Sequence, residues 1–344
     1  MSILRRLGAL VATVATAAAL LAAAASLAPA AASGAEVSAW TFGARSSLKA
    51  AHGAGAIAEV QPDWYTVRAD GSLVTSGVDL AYVKLAHGLG CRVLATVANW
   101  SGGDFSPRVA HAILNSPAAR ATLIGALRTT CGALGYDGVD LDFESVPAAD
   151  RDLLSSFVEE LAAALHGDGR LLGIAVDAKR GEPGDWSGAR AEDYARLGAA
   201  ADELQIMTYA YSGPWSRPGP IAPPGWADRV IDFAVTQVDP AKVWLGVPFY
   251  GCDWWRRGAE EITWRQAVRR LQAHHVHISR TASKEARFTY RDTRGRHTVY
   301  FQDRVALAAK LDVFGRRHPD LAGIAIWVMG GEDPRFWPLI ARRL

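Results

Sequence analysis

The chain has 344 residues, 37 of them basic and 35 acidic, with 50% apolar side chains and a mean hydropathy of +0.04. That balance describes a soluble globular protein with a large core, too long for one small domain. The formal charge of +2 gives no footing for a nucleic-acid or anionic-surface partner.

At the N-terminus, Arg5 and Arg6 precede an almost uncharged apolar run from Leu7 to Leu27. The stretch "APAAASGAE" follows, with Ala30 and Ala32 flanking an A-x-A type cleavage site. This is the layout of a secretory signal peptide over residues 1–32. The run is nearly long enough to span a bilayer, but its alanine-rich composition and small-residue exit favour cleavage over anchoring. The paired arginines also allow twin-arginine export. A secreted or cell-wall-associated chain of about 310 residues is expected, monomeric and free of the membrane once cleaved.

Beyond the signal, short apolar runs alternate with longer helical ones. Residues 37–42, 56–61, 92–100, 138–144, 171–179, 203–211, 242–251 and 321–330 read as strands. "PAARATLIGALRTTCGAL" and "DRDLLSSFVEELAAALH" are the clearest amphipathic helices between them. Near-continuous apolar strands with helical crossovers imply a parallel sheet covered on both faces. Eight such units predict a (β/α)8 barrel over residues 36–344. A doubly wound sheet is the alternative, but no glycine-rich phosphate turn follows the first strand.

Between the seventh and eighth strands, Asp253 to Pro319 breaks the rhythm. "ARFTYRDTRGRHTVYFQD" reads as a hairpin turning at Arg294–Gly295, with Phe288/Tyr290 and Val299/Phe301 alternating. A small α+β insertion is expected there. The three cysteines, Cys91, Cys131 and Cys252, leave an odd thiol in an exported chain. Cys91–Cys131 pairing and two buried free thiols are both compatible with their places in the pattern. The histidines of "HHVH" (His274, His275, His277) lack an acidic or cysteine partner nearby and read as surface residues. No metal and no cofactor is expected.

The fourth strand is the anomaly. "GYDGVDLDFESV" interleaves Asp140, Asp142 and Glu144 with Val139, Leu141 and Phe143. Residues two apart share a face of a strand, so the carboxyls point to the barrel axis and the apolar set to the helices. Glu144 falls at the strand's C-terminal end, where barrel enzymes place their chemistry. Carboxyls this crowded cannot all ionise, and one that keeps its proton is a general acid. The same spacing fits a hard divalent cation. It also fits helix N-caps, although Ser145 and Asp150 are better placed for that role.

"DGVDLDFE" resembles the D-G-x-D-x-D-x-E signature of the family 18 glycoside hydrolases, the chitinase family. "ELQIMTYAYSGPWSRPGPIAPPGWADRVIDFAV", "KVWLGVPFYGCDW" and "GIAIWVMGGEDPRFW" extend the likeness to the branch of spore-cortex-lytic N-acetylglucosaminidases. The resemblance implies hydrolysis next to N-acetylglucosamine in peptidoglycan or chitin, with the sugar's acetamido group as nucleophile. By position, Glu144 is the acid and base, Asp142 holds the acetamido N–H, Asp140 shares a proton with Asp142, and Tyr209 donates to the acetamido carbonyl. Trp327 forms the floor beneath the sugar. Met207, Tyr211, Asn99 and Tyr250 complete the substrate-binding set, and Trp100, Trp215, Trp254 and Trp255 offer stacking faces. One departure stands out: the family tyrosine is usually followed by Asp beside the acid, and here Ala210 follows Tyr209. A weakly active or inactive carbohydrate-binding barrel is the alternative that this departure allows.

Overall fold

The computed structural model describes residues 34–344, so the signal expected over 1–32 lies outside the described residues. Among the described residues, eight parallel strands close on themselves. They are β1 (Glu36–Thr41), β2 (Glu59–Val67), β3 (Arg92–Ala98), β4 (Gly138–Asp142), β5 (Leu171–Asp177), β6 (Glu203–Met207), β7 (Val243–Pro248) and β8 (Gly323–Met329). Each pairs with its neighbours in chain order, and β1 pairs with both β2 and β8. This is the (β/α)8 barrel expected from the alternation.

The two-residue period sorts the side chains. Val93, Ala95 and Val97 of β3, Val139 and Leu141 of β4, and Leu172, Ile174 and Val176 of β5 all face outward. They pack with Leu123, Leu127, Leu154, Phe157 and Leu161 from the helices Pro117–Leu134 and Arg151–Gly167. The alternate residues fill the barrel. Trp40, Ala175, Trp244 and Ala325 form an inner apolar layer. Beneath it, the Arg92 guanidinium bonds Glu59 at 2.9 Å and Glu36, and lies 3.7 Å from Glu203 across the barrel.

The start of the acidic strand is fixed by its own motif. The Asp137 carboxylate accepts from Val93 N at 2.8 Å and from His87 Nε2 at 3.0 Å, clasping a helix end to two strand starts. Asp202 repeats the device with Leu172 N (2.8 Å) and His166 Nε2 (2.9 Å). Gly138 follows for a steric reason: a Cβ there would stand 2.3 Å from the Leu171 carbonyl oxygen.

Most expected strands run past the end of the hydrogen-bonded ladder, by two to four residues in β3 to β6. The second strand differs most. It begins at Glu59 rather than 56 and continues through Pro62 to Val67, with its register shifting between Asp63 and Tyr65. Pro62 has no N–H to give to a ladder, so "QPD" reads as an end although the chain resumes pairing beyond it.

Between β7 and β8 the chain builds a five-stranded antiparallel sheet. Its spatial order is Gly258–Thr263, Tyr250–Trp255, Gly295–Phe301, Ala286–Asp292 and Ser279–Arg280, and helix Trp264–Ala273 packs on it. The sheet begins at Tyr250, three residues before the expected Asp253. The hairpin turns at Thr293–Arg294, one residue earlier than expected, because Asp292 pairs with Gly295. His297 is buried between Asp253 (2.8 Å) and Asp292 (2.9 Å). Cys91, Cys131 and Cys252 are buried free thiols, so the Cys91–Cys131 pairing is not formed. Asp150 caps no helix through its side chain; the carboxylate takes His111 Nδ1 at 2.7 Å instead.

Gly138→Ala is expected to lower stability by about 2 kcal/mol, because the new methyl forces β4 away from β5. Chemical denaturation with an unchanged m-value is the check.

Candidate active site

Asp140 and Asp142 lie on β4 with their side chains inside the barrel and buried. The Asp140 Oδ2 accepts from Trp40 Nε1 at 2.8 Å and from Thr96 Oγ1 at 2.9 Å. Its Oδ1, and the Oδ1 of Asp142, are buried without a partner among the described residues. Burial raises Asp140 to about 7 against the opposing bonds from Trp40 and Thr96. Asp142 is raised well above the usual carboxylate range, first by burial and then by the charges of Asp140, Asp63 and Asp177. A proton on the Asp140–Asp142 pair follows from this geometry.

Glu144 stands two residues past the end of β4 and is half-buried. Asn99 holds its main chain. Asn99 Oδ1 accepts from Glu144 N at 2.9 Å, and its Nδ2 donates to the carbonyls of Glu144 (2.8 Å) and Ser106 (3.2 Å). Expected among the substrate-binding residues, Asn99 is fully buried with its amide committed, and its place is behind Glu144. Ser145, at φ 57°, then turns the chain sharply away. Burial raises the Glu144 carboxyl well above its usual range, and the charges of Asp142, Asp177, Glu192 and Asp104 add to the effect.

Tyr209 and Tyr250 are buried edge to face, with ring centroids 6.2 Å apart. Burial lifts the Tyr209 hydroxyl well above 10, followed by Tyr250 and the charges of Asp142, Glu144 and Asp140. It is therefore a hydrogen-bond donor facing the carboxyl cluster. Met207 and Trp327 pack against this tyrosine cluster and are half-buried. Trp327 meets the buried Trp40 edge-on at 5.9 Å and the exposed Phe42 at 6.1 Å.

Tyr211 does not join the group: it is 53% exposed and its ring lies 5.2 Å from Trp226. Trp254 is buried, its indole N–H bonded to the Gly213 carbonyl, and Trp255 stacks on His297. Trp100 and Trp215 are exposed, and Phe42 and Trp186 join them on segments that follow β1 and β5. Ala210 adopts φ 61°, a left-handed conformation that Asp and Asn tolerate better than Ala.

Sequence reasoning missed Asp177, at the end of β5. It is buried with its Oδ2 unpartnered, and burial raises it to about 7 while Lys179 opposes. Its signal was available, since Gly173, Ala175 and Asp177 share the inward face of β5 as Asp140 and Asp142 share that of β4. Asp63, inside β2, is raised to about 6 by burial.

A closed barrel with protonatable carboxyls massed at the C-terminal ends of its strands, under an aromatic rim, is the machinery of a glycoside hydrolase. The chain belongs to the glycosyl hydrolases family 18, whose model matches residues 76–332. It is 34% identical over 283 residues to YdhD of Bacillus subtilis, named as a sporulation-specific glycosylase, covering 80% of this chain and 66% of that protein. It is 25% identical over 259 residues to the cortical fragment-lytic enzyme of the same organism, covering 72% of this chain and 59% of the relative. The chain thus spans about two thirds or less of these relatives. Among solved structures, a chitinase from Chromobacterium violaceum superposes with a TM-score of 0.82 at 28% identity, over 90% of this chain and 98% of the other.

Asp140→Asn tests the crowding. Folded Asp140 holds its proton up to about 7, whereas an unfolded Asp loses it near 3.8. Stability therefore falls as pH rises through that window. The variant should match the parent's Tm at about pH 4 and exceed it at about pH 8.

Proposed function

We propose that the protein is a secreted hydrolase of β-1,4 bonds next to N-acetylglucosamine, acting with retention through the sugar's own acetamido group. The observation that carries this reading is the unpartnered, buried Asp142 oxygen between Asp140 and Glu144. A carboxylate in that setting accepts the acetamido N–H and offsets the positive charge that grows on the ring. Glu144 gives its proton to the glycosidic oxygen as the acetamido carbonyl oxygen attacks the anomeric carbon and the leaving group departs. Tyr209 donates to that carbonyl oxygen, and Trp327 supports the sugar from below. Water then adds to the anomeric carbon of the oxazolinium, losing its proton to the Glu144 carboxylate, and the acetamido group is restored.

Peptidoglycan is the preferred polymer because the relatives' names are sporulation-specific and cortical fragment-lytic; the Chromobacterium chitinase marks chitin as the second. Phe42, Trp100, Trp186 and Trp215 supply exposed aromatic faces on which sugar rings can stack. A carbohydrate-binding protein with little turnover is the second reading, favoured by Ala210 alone.

Glu144→Gln should cut turnover of both polymers by roughly 10³-fold or more while sugar binding persists. Undiminished hydrolysis removes Glu144 from the chemistry, and a parent with no turnover supports the binding reading. The first product seen by NMR should be the β-anomer, since the anomeric carbon inverts twice. An initial α-anomer excludes participation by the acetamido group.

A further inference from the structure

The carboxyl cluster has a member on the neighbouring strand that the scheme above does not use. In the β4–β5 ladder Asp140 pairs with Gly173 and Leu141 with Ile174. Counting on, Glu144 comes level with Asp177, and both have the parity that faces the barrel axis. The Asp177 main chain is clamped from outside the barrel on both sides. Its N–H donates to both carboxylate oxygens of Glu192, each at 3.0 Å, and its carbonyl accepts from the Tyr194 hydroxyl. Asp177 as a whole is 8% exposed, and its Oδ2 has no partner among the described residues.

The backbone of Asp177 is thus held twice, while its Oδ2, packed beside Gly188, makes no hydrogen bond among the described residues. We infer that Asp177 is a positioning residue for the acid: its carboxylate, level with Glu144 across the β4–β5 ladder, keeps the Glu144 proton in place for transfer. This rests on the hydrolytic reading of Glu144 given above.

The other charged groups leave room for the role. Glu144 has near it Asp142 from its own strand, Asp104 from the short hairpin of Trp100–Ser101 and Asp104–Phe105 that follows β3, Glu192 beyond β5 and the Tyr209 hydroxyl after β6. Lys179, two residues beyond Asp177 and opposing the rise there, is buried. It bonds Glu182 at 2.8 Å and the Glu192 carbonyl, and sits 4.3 Å above the Tyr194 ring. Asp177 is among the leading charges that raise both Asp142 and Glu144. An anion beside a carboxyl disfavours its ionisation, so Glu144 keeps its proton to higher pH. Once Glu144 has given the proton away, the same anion makes it a stronger base toward water.

Asp177→Asn removes the charge and keeps the shape, and both backbone clamps remain. The Glu144 carboxyl resonance, identified by its loss in Glu144→Gln, is followed by ¹³C NMR through pH in the parent and the variant. Its midpoint should fall by about one pH unit in Asp177→Asn and hold in Asp177→Glu. The basic limb of kcat/KM on an aryl glycoside of the N-acetylglucosamine disaccharide should move down with it, with kcat reduced and KM unchanged. Asp177→Ser, neutral and smaller, is read alongside, so the comparison does not hang on the folding of one variant. A Glu144 midpoint that stays put in the neutral variants overturns the inference. Because the NMR titration needs no substrate, a parent without hydrolytic activity refutes the proposed function separately.

Discussion

Asp63, Asp140, Asp142, Glu144 and Asp177 crowd the barrel mouth, and among the described residues none of their carboxyl groups is hydrogen-bonded to a cationic side chain. In water such groups would ionise and repel; inside the barrel each ionised carboxyl disfavours ionisation of the next, so protons stay on some members of the cluster and negative charge on others. The surroundings are arranged around that constraint. Trp40 and Thr96 serve one oxygen of Asp140 and leave the other free. The available guanidinium, Arg92, is spent at the opposite end of the barrel on Glu36 and Glu59. The apolar outer core of β3, β4 and β5 supports a strand whose inner face opposes folding at neutral pH. The region that costs stability is the one to which the proposed chemistry is assigned.

The barrel was legible because its evidence is periodic. Outward residues of β3 to β5 alternate with inward ones, and the helices between them are long and amphipathic. The motif was legible too, and each letter has a cause: Asp137 clasps two strands, Gly138 admits the Leu171 carbonyl, and Asp140 and Asp142 point inward. Strand ends were not legible, for a reason that bears on function. Glu144, Asn99, Tyr209 and Tyr250 follow the ladder ends within two residues, and Asn99, Tyr209 and Tyr250 are as buried as strand residues, so the composition does not mark where pairing stops. The duty of Asn99 escaped notice because it consists of bonds to another segment's main chain, 45 residues away. Asp177 was less legible because it is the single acidic residue of its strand, whereas the barrel assembles its cluster across neighbouring strands.

The inserted sheet touches the candidate site. Tyr250, its first residue, meets Tyr209 edge to face. Trp254 reaches from the same strand to the Gly213 carbonyl in the segment after β6. Glu285 accepts from the main-chain N–H groups of Ile221 and Ala222 at 2.7 and 2.8 Å, and Lys310 bonds the same carboxylate. The long segment carrying Tyr209, Ala210 and Tyr211 is thereby tied to the insertion at several points. A left-handed alanine persists where its surroundings over-determine the backbone, and these ties are of that kind.

Closing the barrel pairs each of its eight parallel strands with a neighbour on both sides, whereas the inserted sheet ends in two outer strands. An unpaired edge offers its N–H and C=O groups to any passing chain and is a usual start for edge-to-edge association. Here one outer strand is Gly258–Thr263, with Glu260 and Glu261 in its middle, and the other is the two-residue Ser279–Arg280. A strand adding to the first edge would have to pass these carboxyls and the Arg270 and Arg294 that pair with Glu260, and the second edge is too short to template a ladder. Charge along one margin and shortness at the other make both edges of the inserted sheet poor templates for a further strand.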